Sequence, residues 1–119
     1  MKVLVIGKSG QLGRALAKSE RFTDMQFADR SVVDLSFPEK IEDVLSAYDF
    51  DALVNTAAYT AVDNAESDEQ TARLVNALAV EKMARHCRDR GALLIHISTD
   101  YVFDGTSPVP AREDDPTPP

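Results

Sequence analysis

Four short apolar runs, separated by stretches of a different period, set the pattern of the chain. Val3-Leu4-Val5-Ile6 is continuous rather than alternating, the signature of a strand buried on both faces, as in parallel sheets. Residues 25–29, 51–55 and 93–97 are three further strand candidates. Between them the apolar positions fall at helical spacing. Residues 11–20 put Leu12, Ala15, Leu16 and Ser19 on one face. Ser36 is placed to cap a helix with Pro38 in its first turn, and Ile41, Val44 and Leu45 carry that helix to about Tyr48. A long pattern over 68–90 sets Ala72, Val75, Ala79, Met83 and Ala84 near one face and stops at Gly91 as a C-terminal cap. Residues 57–63 and the Pro-, Asp- and Thr-rich stretch from Asp104 onward read as loop. The order β-α-β-α-β-α-β predicts an α/β fold with right-handed crossovers: a Rossmann-like parallel sheet with flanking helices, incomplete at about four strands.

Size and charge narrow the class. The 119 residues suffice for one domain, and 44% apolar residues suffice for a buried core. A net charge of −7 excludes nucleic acid as the expected partner, since phosphate backbones need a concentrated basic footprint. The apolar run before Gly7 is too short for a signal core, and no stretch approaches the ~18 apolar residues of a membrane span. No membrane partner and no metal site are expected. The single cysteine, Cys87, cannot make an internal disulfide and sits in a helical pattern, so it is read as packing in a reducing, cytoplasmic setting. Lys82, Arg85, Arg88 and Arg90 read as the solvated face of a helix, and His96 as a satisfied core or interface residue.

The first chemical signal is Gly7, Gly10 and Gly13, placed after a buried strand and opening an amphipathic helix. Such a turn brings backbone N–H groups and a helix N-terminus to a pyrophosphate, while the third glycine permits close packing of the helix. Asp29, near the offset expected for a ribose contact, favours NAD, whereas Arg30 beside it, aided by Lys8, suits the 2′-phosphate of NADP. Both cofactors stay open. Asn55 and Thr99 stand at the carboxyl ends of predicted strands, the edge where open α/β sheets bind ligands. A threonine hydroxyl there can donate to a carbonyl oxygen as charge develops on it. Equally, Ser98 and Thr99 can serve as caps of the strand end, and Tyr59 and Tyr101 as packing residues that keep their hydroxyls wet.

The glycine spacing G-x-x-G-x-x-G resembles the short-chain dehydrogenase/reductase superfamily, in particular its extended nucleotide-sugar branch. Two further runs, N-T-A-A-Y-T-A-V-D-N-A-E from Asn55 and S-T-D-Y-V-F-D-G from Ser98, resemble the dTDP-4-dehydrorhamnose reductase family over the whole chain. The resemblance implies an NAD(P)-binding domain, of which residues 1–119 are the N-terminal part, acting on a dTDP-linked keto sugar. It implies that Gly7, Gly10, Gln11, Leu12 and Gly13 line the pyrophosphate, that Asp29 and Arg30 sit near the ribose, and that Asp34 and Leu35 flank the adenine. Ala57, Ala58, Tyr59 and Thr60 would lie along the cofactor, with Ile97 behind the nicotinamide. Thr99 would be the catalytic hydroxyl residue, and Asp100 its neighbour at the substrate. The family's Tyr-x-x-x-Lys pair has no match here: four residues after Tyr48, Tyr59 and Tyr101 stand Ala52, Asp63 and Gly105. By the resemblance the pair, the later strands and the sugar-nucleotide domain fall beyond Pro119, so little or no turnover and some self-association are expected of these residues alone. Other readings within the resemblance are a non-catalytic regulatory subunit of the kind found in methionine adenosyltransferase complexes, and another nucleotide-sugar epimerase or dehydratase. A binding-only nucleotide sensor is a further alternative.

Overall fold

The computed structural model describes residues 1–21 and 24–117; Pro118 and Pro119, the end of the predicted loop, lie outside them. Among the described residues four strands form one sheet: β1 (Val3–Ile6), β2 (Met25–Ala28), β3 (Ala52–Asn55) and β4 (Leu93–His96). Their order is β2-β1-β3-β4 and every pairing is parallel. The continuous apolar run of β1 is explained by this placement. Leu4, Val5 and Ile6 are all buried because β1 has a neighbour on each side and packed side chains on each face.

The connections are α1 (Gln11–Ala17), α2 (Pro38–Ser46), α3 (Val62–Ala65), α4 (Glu69–Arg73) and α5 (Ala79–Arg90). The first crossover runs toward β2 and the others toward β4, so right-handed connections send α1 to one face and α2 and α5 to the other. The main core lies on the second face. Leu4, Ile6 and Leu53 of the sheet meet Ile41 and Leu45 of α2 and Ala79, Met83 and Cys87 of α5. Cys87 is therefore a packing residue, and burial pushes its thiol above the ordinary range.

Four expectations change on contact with the fold. The predicted helix over 11–20 stops at Ala17, and of its residues only Gly13 is buried; Leu12 and Ala15 stay exposed because α1 covers the sheet thinly. Ser36 does not cap α2. Its hydroxyl and N–H both go to Asp34 Oδ1, which closes a side-chain turn ahead of the helix. The predicted loop over 57–63 runs into the short helix α3. The long helix over 68–90 begins as expected, with Asp68 accepting from the Thr71 N–H, but a π turn at Leu74–Leu78 separates α4 from α5. That wide turn has a packing reason. Val75, Ala79, Met83 and Cys87 all face the core at four-residue intervals, and in a regular helix each such step slips by ~40°, which a wider turn partly absorbs. Ala84, one position past that row, is exposed.

Candidate functional site

The strand order reverses direction at β1 and β3, so their carboxyl ends leave a crevice between loops that run to opposite faces. The glycine loop builds one wall. Gly7 takes φ 93, a conformation L side chains rarely adopt, and donates its N–H to the Ala28 carbonyl at 3.1 Å. A Cβ at Gly7 would stand 2.7 Å from Thr56 Oγ1, and one at Gly13 only 2.1 Å from the Gly7 carbonyl oxygen. The loop is thus folded down onto the first turn of α1 with no room for a side chain at Gly7 or Gly13. Gly10, at the helix start, offers no side-chain cap, so the first N–H groups of α1 face the crevice without one.

The opposite wall is the strap from Asn55 to Thr60, and side chains hold it along its length. Thr56 donates through both its hydroxyl (2.7 Å) and its N–H (3.0 Å) to the Ile6 carbonyl, locking the end of β3 to the end of β1. Asn55 is buried, and its Oδ1 accepts from the Ala57 N–H at 3.1 Å. That contact fixes the amide's orientation, leaving Nδ2 to pair with His96 Nδ1 at 3.1 Å. His96 is exposed at the end of β4 rather than a core residue, although it is satisfied as expected. From the π turn, Asn76 accepts the Tyr59 N–H at 2.8 Å and donates to the Tyr59 carbonyl at 3.1 Å.

Beyond β2, two carboxylates are tied into their own loops. Asp29 Oδ1 accepts the Ser31 hydroxyl and N–H, which hold its carboxyl below the usual range. Asp34 is lowered likewise, chiefly by the Ser36 hydroxyl, while its Oδ2 receives Arg30 Nε at 3.3 Å.

These walls enclose a cleft of about 610 Å³. It brings together Gly7, Gly10, Gln11 and Leu12 of the glycine loop, Arg30, Asp34 and Leu35 after β2, and Ala57 to Thr60 of the strap. Gly13 lies under the loop, and Asp29 flanks the cleft without lining it. Ser9, Val33, Thr56, Thr71 and Val75 also line it and were not singled out by sequence reasoning. Thr56 had a visible signal, a hydroxyl at a strand end. Thr71 and Val75 reach the cleft only through the tertiary position of their helix.

Ile97, Thr99 and Asp100 lie outside the cleft on exposed chain past β4. Thr99 caps a 3₁₀ turn at Asp100–Val102, its Oγ1 accepting the Tyr101 N–H at 3.2 Å. The same hydroxyl donates to Asp100 Oδ1 at 3.5 Å, a long contact that holds its proton only weakly. Tyr101 is 77% exposed and does no packing. Arg90 is more than a solvated charge: it donates to the Tyr48 carbonyl at 3.1 Å and covers the Phe50 ring.

The family model for the RmlD substrate binding domain matches residues 1–119. The chain belongs to the RmlD family. It is 45% identical over 118 residues to the dTDP-4-dehydrorhamnose reductase of Burkholderia thailandensis, an alignment covering 98% of this chain and 40% of that protein. The structure of an RmlD-type protein, a dTDP-4-dehydrorhamnose reductase from Clostridium acetobutylicum, superposes with a TM-score of 0.90 at 32% identity, over 100% of this chain and 43% of that one. A second, from Bacillus anthracis and solved in complex with NADP, gives a TM-score of 0.80 at 33% identity, over 91% and 40%. The chain thus spans about two fifths of the length of the RmlD relatives it matches.

Proposed function

We propose that this protein binds NADPH or NADH in the cleft between the glycine loop and the strap, as the N-terminal part of the dinucleotide-binding domain of an enzyme that reduces the C4 ketone of dTDP-4-dehydrorhamnose to dTDP-L-rhamnose. The observation that carries the proposal is the glycine corner, where main chain occupies the space that Cβ atoms at Gly7 and Gly13 would need and unadorned N–H groups front a cleft. Such a corner suits a diphosphate, which accepts hydrogen bonds from peptide nitrogens and from a helix start. Gln11 and Leu12 extend that contact. Arg30, on the rim and held by Asp34, suits the adenosine end and a 2′-phosphate in particular; Asp29 beside it suits ribose hydroxyls. Asp34 and Leu35 flank the adenine, and Ala57, Ala58, Tyr59 and Thr60 run along the dinucleotide, with Ile97 on the nicotinamide side.

A bound nicotinamide supplies hydride. On the substrate side, Thr99 turns its hydroxyl proton from the long contact with Asp100 Oδ1 toward the ketone oxygen, and Asp100 next to it orients the sugar. No tyrosine in the chain is followed four residues later by lysine, so these residues bind and polarise rather than deliver the proton. The relatives named for reduction of a dTDP sugar support the substrate class. A lone, buried thiol fits a cytoplasmic setting. Self-association is supported by the apolar side chains that β4 leaves open, Leu93, Ile95 and Ile97.

The test is a calorimetric titration of the purified chain with NADPH and NADH. Saturable binding of NADPH is expected, and Arg30→Ala should weaken NADPH roughly tenfold while changing NADH less, because a charge-assisted contact to phosphate is lost. Failure of the wild-type chain to bind either dinucleotide would overturn the proposal.

A further inference from the structure

We infer that Thr56 is a positioning residue for the glycine corner, an inference that rests on the cofactor reading above. Thr56 is the first residue past β3, at the level where β1 ends. Its N–H and its hydroxyl both donate to the Ile6 carbonyl, at 3.0 and 2.7 Å. The N–H bond continues the ladder, and any residue but proline would make it. The hydroxyl bond is a second one to the same oxygen, and it depends on the side chain. At the other end of the same peptide unit, the Gly7 N–H donates to the Ala28 carbonyl at 3.1 Å. The Ile6–Gly7 peptide is thereby gripped from both neighbouring strands, immediately before the chain turns at φ 93.

The hydroxyl also lies against Gly7 itself. Thr56 Oγ1 stands 2.7 Å from where a Gly7 Cβ would be and 3.4 Å from the Gly7 carbonyl oxygen. That carbonyl in turn accepts the Gly10 N–H at 2.9 Å and lies against Gly13. The direction of the Gly7 carbonyl therefore decides where α1 begins. Core packing scarcely competes, because Gly13 is the one buried residue of α1. The N–H groups at the start of α1, which face the diphosphate in the cofactor reading, are aimed through the contacts that run from Thr56 to Gly7 to Gly10. Thr56 acts through the turn, and a corner already aimed does not have to be ordered when the dinucleotide binds.

The experiment compares wild type, Thr56→Val and Thr56→Ser in the full chain. Valine keeps the branched shape and the N–H bond to Ile6 and removes the hydroxyl. Serine keeps the hydroxyl and removes the methyl group. NADPH affinity and the ¹H–¹⁵N resonance of the Gly10 amide are the readouts, the second because that N–H follows the Gly7 carbonyl. Thr56→Val should weaken NADPH roughly tenfold, the equivalent of one hydrogen bond, and shift the Gly10 resonance. Thr56→Ser should stay within about twofold of wild type and leave that resonance in place. A Thr56→Val chain that binds NADPH as wild type does overturns the inference and leaves the cofactor reading standing. So does a Thr56→Ser chain as weak as Thr56→Val, since the methyl group and not the hydroxyl would then matter. A wild-type chain that binds no dinucleotide overturns both. Should Thr56→Val fail to fold, Thr56→Ala, which removes the hydroxyl without setting a methyl group against the Ile6 carbonyl, takes its place with the same expectations.

Discussion

Gly7 and Gly13 show how a site can be written in missing atoms. Gly13 sits over the Gly7 carbonyl, and one methyl group there would stand 2.1 Å from that oxygen, a distance no rotamer relieves. Gly13→Ala should therefore push α1 off the loop, costing about 2 kcal/mol of stability as an overpacked core position does, and should abolish dinucleotide binding at the same time. Urea denaturation and an NADPH titration of the same variant measure the two effects; wild-type stability together with wild-type affinity would mean that the corner is looser than its geometry indicates. The glycines were legible in the sequence because their function is local: strand, turn and helix start follow one another within a dozen residues. Asn55 and Asn76 were not legible as fasteners. Their partners, His96 and Tyr59, lie 41 and 17 residues away, and asparagine carries no periodic signal that marks it as a clamp.

Elements were legible where the hydrophobic period was unbroken. The four strands, α2 and the start and stop of the α4–α5 stretch all follow from apolar spacing and end signals. The π turn inside that stretch changes the phase of the face by a fraction of a turn and leaves the composition ordinary, so a periodic reading passes over it. The early end of α1 has a different origin, since its apolar stripe finds little to cover. In α5, His86 adds a property of its own. It is buried, its Nε2 has no hydrogen-bond partner among the described residues, and burial, reinforced by Arg90 and opposed by Glu42 and Asp89, lowers its pKa. The folded state keeps the ring neutral while the unfolded chain takes up a proton below about pH 6.5. The resulting stability is complete above that value and is lost as pH falls through the folded pKa. His86→Phe should accordingly lose less Tm than wild type between about pH 7.5 and about pH 5.5, as followed by calorimetry. Parallel losses in the two proteins would show that His86 does not titrate with unfolding.

At the scale of the molecule the sheet is covered unevenly. One face carries α2 and α5 and the main core, whereas on the other Leu93 is 57%, Ile95 43% and Ile97 46% exposed along and just past β4. Among the described residues β4 pairs with β3 alone, so an apolar strip lies beside an open strand edge. Sedimentation velocity should find concentration-dependent association of the chain, and Ile95→Lys should shift it toward monomer. A wild-type chain that remains monomeric at high concentration would sink the proposed self-association. The uneven cover contrasts with the finished state of the opposite side of the sheet. β1 lies inside the sheet and has both its partners, β2 and β3, within the first 55 residues. On a ribosome, where the chain emerges from its N-terminus, the glycine corner can close before β4 has emerged, and the carboxamide of Asn76, which lies between β3 and β4 in the chain, follows to secure what has already assembled.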